Sequence, residues 1–118
     1  MSVILDIDLV LKKLLDELGE KVFFIIISSE NGLILKSYIN NEEFNKTAIS
    51  LHISQVYESA EEITELIGVH NPDFNLIHSD NFYILSVKIL NKIIIVLMED
   101  QTNITEIFHI INGCIKTS

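Results

Sequence analysis

The sequence predicts an α+β sandwich, in which helices cover both faces of one five-stranded antiparallel sheet. Three observations indicate this class: apolar residues recur at helical spacing near both ends of the chain, one long amphipathic stretch lies between them, and five β-rich runs are joined by short polar turns. The predicted order is α-β-β-α-β-β-β-α. Because 118 residues contain no Pro/Gly/Ser-rich linker, we expect a single domain spanning 1–118.

The first predicted elements are a helix and a hairpin. Helical periodicity extends over 4–18, and Gly19 follows where a left-handed residue is favoured. The apolar run 22–27 predicts a strand, and 33–39 predicts its partner. Between them, residues 31–32 are an Asn-Gly pair, which supplies the positive φ angles of a tight hairpin.

A long helix is predicted over 42–67. Asn40 lies three residues before Glu43, a spacing that resembles a capping box. Gly68 ends the periodic stretch and Pro72 confirms the break, because proline disfavours helical geometry in the residue before it.

The remaining chain predicts a three-stranded meander and a closing helix. The β-rich runs are 74–79, 82–90 and 92–99, separated by short polar turns. Thr102 can cap a final helix whose apolar face extends to Ile115.

The composition of the strands indicates their order in the sheet. The runs 22–27 and 92–99 are apolar without alternation, which is typical of strands covered on both faces. With the predicted strands numbered along the chain, the order 2-1-5-4-3 makes these two runs central. The long helix then covers one face, and the first and last helices cover the other.

Charge and cysteine content exclude several classes of protein. A formal net charge of −9 opposes binding to nucleic acid or anionic lipid, and no apolar run approaches the length that crosses a bilayer. With Cys114 as the only cysteine, no internal disulfide can form, and we expect a cytoplasmic protein.

The apolar content exceeds what a small monomer needs to bury. Hydrophobic residues make up 48% of the chain, and mean hydropathy is +0.37. On a helical wheel, the long helix has an apolar stripe centred on the residues expected to meet the sheet, which are Ile49, Val56, Ala60, Ile63 and Ile67. Apolar residues on both flanks widen the stripe beyond one contact surface, so we expect a second copy or a related chain to cover the rest. Loops of the same subunit are the alternative cover.

The predicted dimer interface combines one flank of the long helix with the first strand of the meander. That strand is expected at the sheet edge and has no lysine to discourage pairing with another strand. The predicted interface residues are Phe44, Ala48, Leu51, His52, Gln55, Ser59, Glu62, Leu66, Asp73, Phe74, Asn75, Leu76 and Ile77.

We predict no catalytic, metal-binding or cofactor-binding residue. The sequence lacks a Gly-rich phosphate loop, and no histidine has a second ligand at the i, i+4 spacing of a helical metal site. The histidines are His52, His70, His78 and His109. The main acidic cluster of the long helix has four glutamates, of which Glu62 belongs to the predicted interface. The other three, Glu58, Glu61 and Glu65, share one flank and are interpreted as a solvated face, with steering of a basic partner as the alternative.

The order of elements and the turn segment "SSENGLIL" resemble the Roadblock/dynein light chain family, relatives of longin domains, and particularly its small single-domain prokaryotic or archaeal members. Where the family often has Asp before the turn glycine, this chain has Ser29, Glu30 and Asn31. The resemblance implies homodimers, or heterodimers with a paralogue, that pair through the long helix and the edge strand. It further implies regulation of a small Ras-like GTPase without supplying a catalytic residue, or service as a scaffold or motor-complex adaptor.

A small-molecule sensor is the alternative function. Its core would contain an enclosed pocket with converging polar groups, whereas large side chains such as Phe23, Phe24, Phe82 and Phe108 should fill the interior of a scaffold.

Overall fold

The computed structural model of the protein describes residues 2–117. The elements, in chain order, are β1 (Val3–Leu5), α1 (Ile7–Leu18), β2 (Val22–Ser29), β3 (Ile34–Ile39), α2 (Lys46–Ile67), β4 (Phe74–Ser79), β5 (Phe82–Ile89), β6 (Lys92–Glu99), α3 (Ile104–Asn112) and β7 (Ile115–Thr117). One turn of 3-10 helix at Gly19–Lys21 connects α1 to β2.

The main sheet has the order β3-β2-β6-β5-β4, and every neighbouring pair is antiparallel. The predicted strands 1 to 5 correspond to β2 to β6, so the fold class and the order 2-1-5-4-3 are confirmed. β2 and β6 are central and pair through residues such as Ile25 with Val96 and Ile26 with Ile95. Both strands are buried on both faces, which explains their lack of alternation.

The core lies in two layers, one on each face of the sheet. Ile25, Ile27 and Val96 belong to the layer beneath α1 and α3. Ile26 and Ile95 face the opposite way and belong to the layer beneath α2. Alternate side chains of the same strands thus hold both helical layers in place.

The two ends of the described chain form a second, two-stranded sheet that the sequence did not predict. β1 pairs with β7. The first predicted helix had been expected to begin at residue 4, within β1, and the apolar face of the last one to extend to Ile115, the first residue of β7. Asp6 separates β1 from α1 and caps the helix, because its carboxylate accepts a hydrogen bond from the Leu9 amide at 3.1 Å. A hydrogen bond from Lys116 of β7, followed by that from Leu9, lowers the pKa of Asp6. The helical prediction was wrong here because residues remote in sequence compete for the backbone hydrogen bonds.

The predicted capping box at Asn40 and Glu43 was also wrong. α2 begins after Asn45, whose side chain accepts a hydrogen bond from the Ala48 amide at 3.1 Å. Asn41 instead closes a turn by accepting from the Glu43 amide at 2.9 Å. A local side-chain turn therefore uses the segment assigned to the first turn of the helix.

α3 begins one residue later than the predicted cap allows. Asn103, and not Thr102, caps it by accepting a hydrogen bond from the Thr105 amide at 3.0 Å. The helix ends at Asn112, and Gly113 follows it.

Candidate functional site

The face of α2 that contacts the sheet differs from the predicted one. Its buried residues are Ser50, Ile53, Ser54 and Tyr57. The predicted centre of that face included Val56, Ile63 and Ile67, which are exposed by 37%, 55% and 68%. The helix is therefore rotated so that much of its apolar stripe faces solvent.

Two buried serines account for this rotation. Ser50 donates a hydrogen bond to the carbonyl of Gly32 at 2.8 Å, and Ser54 donates to the carbonyl of Glu30 at 2.7 Å. Gly32 has φ +89°, and a Cβ atom there would lie 3.2 Å from the Cα of Leu51. Because the hairpin backbone satisfies both hydroxyls, they can be buried, and the bulkier apolar residues turn outward.

An open apolar groove, here called the trough, runs along the outward flank of α2. One part, of about 470 Å³, lies between α2 and Asn75 of β4. Its α2 residues are His52, Gln55, Val56, Ser59, Ala60 and Ile63. The other part, of about 380 Å³, adjoins it at His52 and has an apolar floor formed by Phe24, Phe44, Ile84 and Leu97.

The edge strand β4 presents apolar side chains on both faces of the sheet. Phe74 and Leu76 lie opposite Val87 and Leu85, on the side of α1 and α3. Ile77 lies on the side of α2. Phe74, Leu76 and Ile77 are 44%, 39% and 40% exposed. Such exposure along an unpaired edge is typical of a site where another chain binds.

The backbone of β4 alternates between facing β5 and facing the free edge. The N–H of Lys88 and the carbonyl of Ser86 point out of β5 towards the β4 side, where both contact the hydroxyl of Tyr57. The register then directs the backbone groups of Asn75 and Ile77 towards β5. Phe74, Leu76 and His78 therefore direct their N–H and C=O groups to the free edge.

The structure brings part of the predicted interface together. Ala48, His52, Gln55 and Ser59 line the trough, Phe44 forms part of its floor, and Asn75 borders it on the β4 side. Leu51 and Glu62 do not line it, and Leu66 is 88% exposed in the last turn. The sequence interpretation missed Val56 and Ile63 as exposed residues, although their spacing of seven marks them as one face.

Tyr57 and Lys88 form the centre of a polar cluster beside the trough. The Lys88 amide donates to the Tyr57 hydroxyl at 2.8 Å, and burial raises the pKa of Tyr57 to about 12. The ammonium of Lys88 lies 3.2 Å from Glu61 and 3.4 Å from Glu30. Burial opposes the charge of Lys88, but the hydrogen bonds and charges of these glutamates raise its pKa.

The other ionisable residues do not assemble a metal site within residues 2–117, where no three His, Cys, Asp or Glu side chains are grouped closely enough to hold an ion. His78 contacts Asp100 at 3.0 Å, and Cys114 is buried, which raises the pKa of its thiol. Among these same residues, the helices are too short or too polar to cross a membrane.

No protein-family model and no curated protein matches the sequence. Solved structures match in fold. A Roadblock/LC7 domain from Streptomyces avermitilis has a TM-score of 0.75 at 10% identity, over 87% of this chain and 86% of that one. MglB of Myxococcus xanthus gives 0.71 at 11% identity, over 79% and 76% of the two chains. A structure described as MglB with tetrameric arrangement gives 0.75 at 8% identity, over 89% and 79%.

These likenesses cover most of this chain and most of each matching chain. At such low identity they establish the arrangement of the backbone. The protein therefore has a Roadblock/longin-like fold, as its sequence predicts.

Proposed function

We propose that the protein is a cytoplasmic, non-enzymatic dimer that binds and regulates a small Ras-like GTPase. The main observation in support is the apolar trough of α2, which lies directly beside the unpaired edge of β4. A second subunit related to the first by a two-fold axis would cover both the trough and the edge of β4. A related chain with the same surface would serve equally well as the second subunit.

The geometry of β4 favours a particular register for the dimer. Pairing two copies of β4 antiparallel, with both α2 helices on one face, requires that opposite residues share a face of the sheet. A two-fold axis through Leu76 meets this requirement and pairs Phe74 with the second copy's His78. In this register Phe74, Leu76 and His78 each form both of their backbone hydrogen bonds across the seam.

The same arrangement brings the two troughs together. The part of each trough that contains Asn75 lies between α2 and β4 of the same subunit, so it faces its counterpart across the two-fold axis. Contact between the two α2 helices then buries Val56 and Ile63, whose exposure the single chain leaves unexplained. The tetrameric arrangement named for one of the matching MglB structures agrees with a fold that self-associates.

The chemistry available to a GTPase partner is limited by composition. The sequence has eight lysines and no arginine, so this chain cannot supply an arginine finger. We therefore propose that any acceleration of hydrolysis comes from positioning the partner's own residues. The net charge of −9 favours a partner with a basic surface.

Cysteine cross-linking tests the dimer and its register. Leu76→Cys places a thiol from each subunit beside the two-fold axis. The two Cα atoms would be about 5.5 Å apart, a distance that a disulfide between the two thiols can span. Ile77→Cys is the matched control, because its two copies are offset along the seam. We expect rapid oxidation to a covalent dimer for Leu76→Cys alone. Efficient cross-linking of Ile77→Cys would show that the register is wrong.

A GTPase assay tests the regulatory role. Ras-like GTPases encoded in the same genome are purified, loaded with a fluorescent GTP analogue and titrated with the wild-type protein. We expect one of them to bind and to change its rate of hydrolysis or nucleotide exchange. Binding without a change in rate indicates a scaffold, and a lack of binding to every GTPase tested contradicts the proposal.

A further inference from the structure

We infer that Tyr57 is a positioning residue of the dimer surface, because its hydroxyl fixes the edge strand β4 against α2. This inference rests on the proposed dimer, and it assigns a role to a residue outside the trough. By holding β4 close to α2, Tyr57 would set the width of the trough between them.

The hydroxyl of Tyr57 takes the place of a missing strand residue. β4 begins at Phe74, which pairs with Val87, whereas β5 continues to Ile89. The N–H of Lys88 therefore has no strand opposite it and donates to the Tyr57 hydroxyl at 2.8 Å.

The same hydroxyl reaches the residue that leads into β4. It lies 3.1 Å from the carbonyl of Asp73 and 3.1 Å from the carbonyl of Ser86. With one proton, it donates to either carbonyl while accepting from Lys88. The side chain is only 1% exposed, so water does not replace these bonds.

The next turn of α2 strengthens this attachment. Glu61, four residues after Tyr57, contacts the ammonium of Lys88 at 3.2 Å, and Glu30 contacts it from the hairpin at 3.4 Å. The helix thus holds both the backbone and the side chain of Lys88.

The other buried polar residues of α2 act elsewhere. Ser50 and Ser54 bond the hairpin between β2 and β3, at the opposite edge of the sheet from β4. Because Ser54 keeps its own bond to the hairpin, Ser50→Ala removes one helix-to-backbone hydrogen bond while α2 stays anchored and its attachment to β4 stays intact. Ser50→Ala is therefore a matched control for Tyr57→Phe.

The experiment compares these two variants by amide hydrogen exchange and by dimer affinity. We expect Tyr57→Phe to speed exchange of the Lys88, Asn75 and Ile77 amides at protein concentrations where the chain is monomeric. We also expect it to raise the dimer Kd about tenfold, since two backbone groups lose a buried partner. Ser50→Ala should leave those amides protected and change Kd by less than about threefold.

The inference is overturned if the two variants raise Kd equally, or if exchange at β4 does not respond to Tyr57→Phe. Exchange is measured without reference to dimerisation, so it separates the two proposals. A wild-type protein that stays monomeric would refute the proposed dimer, and the role of Tyr57 in the interface with it. If Tyr57→Phe still speeds exchange of the β4 amides in that case, Tyr57 holds β4 against α2 only as part of the subunit's own structure.

Discussion

Tyr57 has unusual acid–base behaviour for a residue of an amphipathic helix. Burial is the main reason that its pKa rises from 10.0 to about 12. The folded protein therefore retains the phenolic proton at a pH where the unfolded chain loses it. The stabilisation due to Tyr57 is complete below pH 10 and is lost as the pH rises to about 12.

This shift predicts an alkaline loss of stability specific to one residue. A shift of two pKa units corresponds to about 2.7 kcal/mol of unfolding free energy. In urea titrations between pH 9 and 12, the stability difference between wild type and Tyr57→Phe should shrink by about this amount. Tyr83→Phe is the control, because it retains Tyr57 and should lose stability in parallel with wild type. A constant difference between wild type and Tyr57→Phe would contradict the prediction.

At the level of elements, sequence patterns were most informative where the composition of a single strand or helix is enough to indicate whether it is buried. The unbroken apolar runs of β2 and β6 require cover on both faces, so their central positions could be predicted before any pairing was known. The edge position of β4 followed from its mixed composition and from the meander.

The elements that were missed depend on contacts remote in sequence. β1 and β7 have three residues each and form by pairing across nearly the whole chain. The rotation of α2 depends on Ser50 and Ser54, whose hydroxyls bond hairpin carbonyls. A hydrophobicity wheel treats serine as outward-facing, and so it places the apolar stripe against the sheet. For the same reason only part of the candidate interface could be predicted.

The whole molecule has more surface than its size requires. Its accessible area is 7119 Å². A compact monomer of 13.4 kDa should expose about 6,500 Å² by the usual scaling of area with mass. The open trough and the apolar edge of β4 add to the exposed area. An association that covers them therefore suits the shape of the molecule as well as its composition.

A charge in the trough should dissociate the proposed dimer without unfolding the subunit. Ile63 is 55% exposed in the single chain, so Ile63→Glu leaves the carboxylate hydrated in a monomer. In the dimer it would be buried without a partner, at a cost of about 3 kcal/mol, which is more than a hundredfold in Kd. Sedimentation or light scattering should report 13.4 kDa for the variant and twice that mass for wild type.

The control for this experiment is Leu33→Glu. Leu33 is 69% exposed at the hairpin and lies outside the trough, so the variant should remain dimeric. Equal dissociation of both variants, or a wild-type monomer, would count against the trough as the interface.

The pairing of β1 with β7 makes the described chain almost a closed ring. Val3 lies opposite Thr117, and neighbouring strands are about 5 Å apart. A short linker can therefore join residues 2 and 117, and new ends can be opened at the turn between β5 and β6. We expect such a circular permutant to retain the strand pairings of the original fold, although its elements are synthesised in a different order.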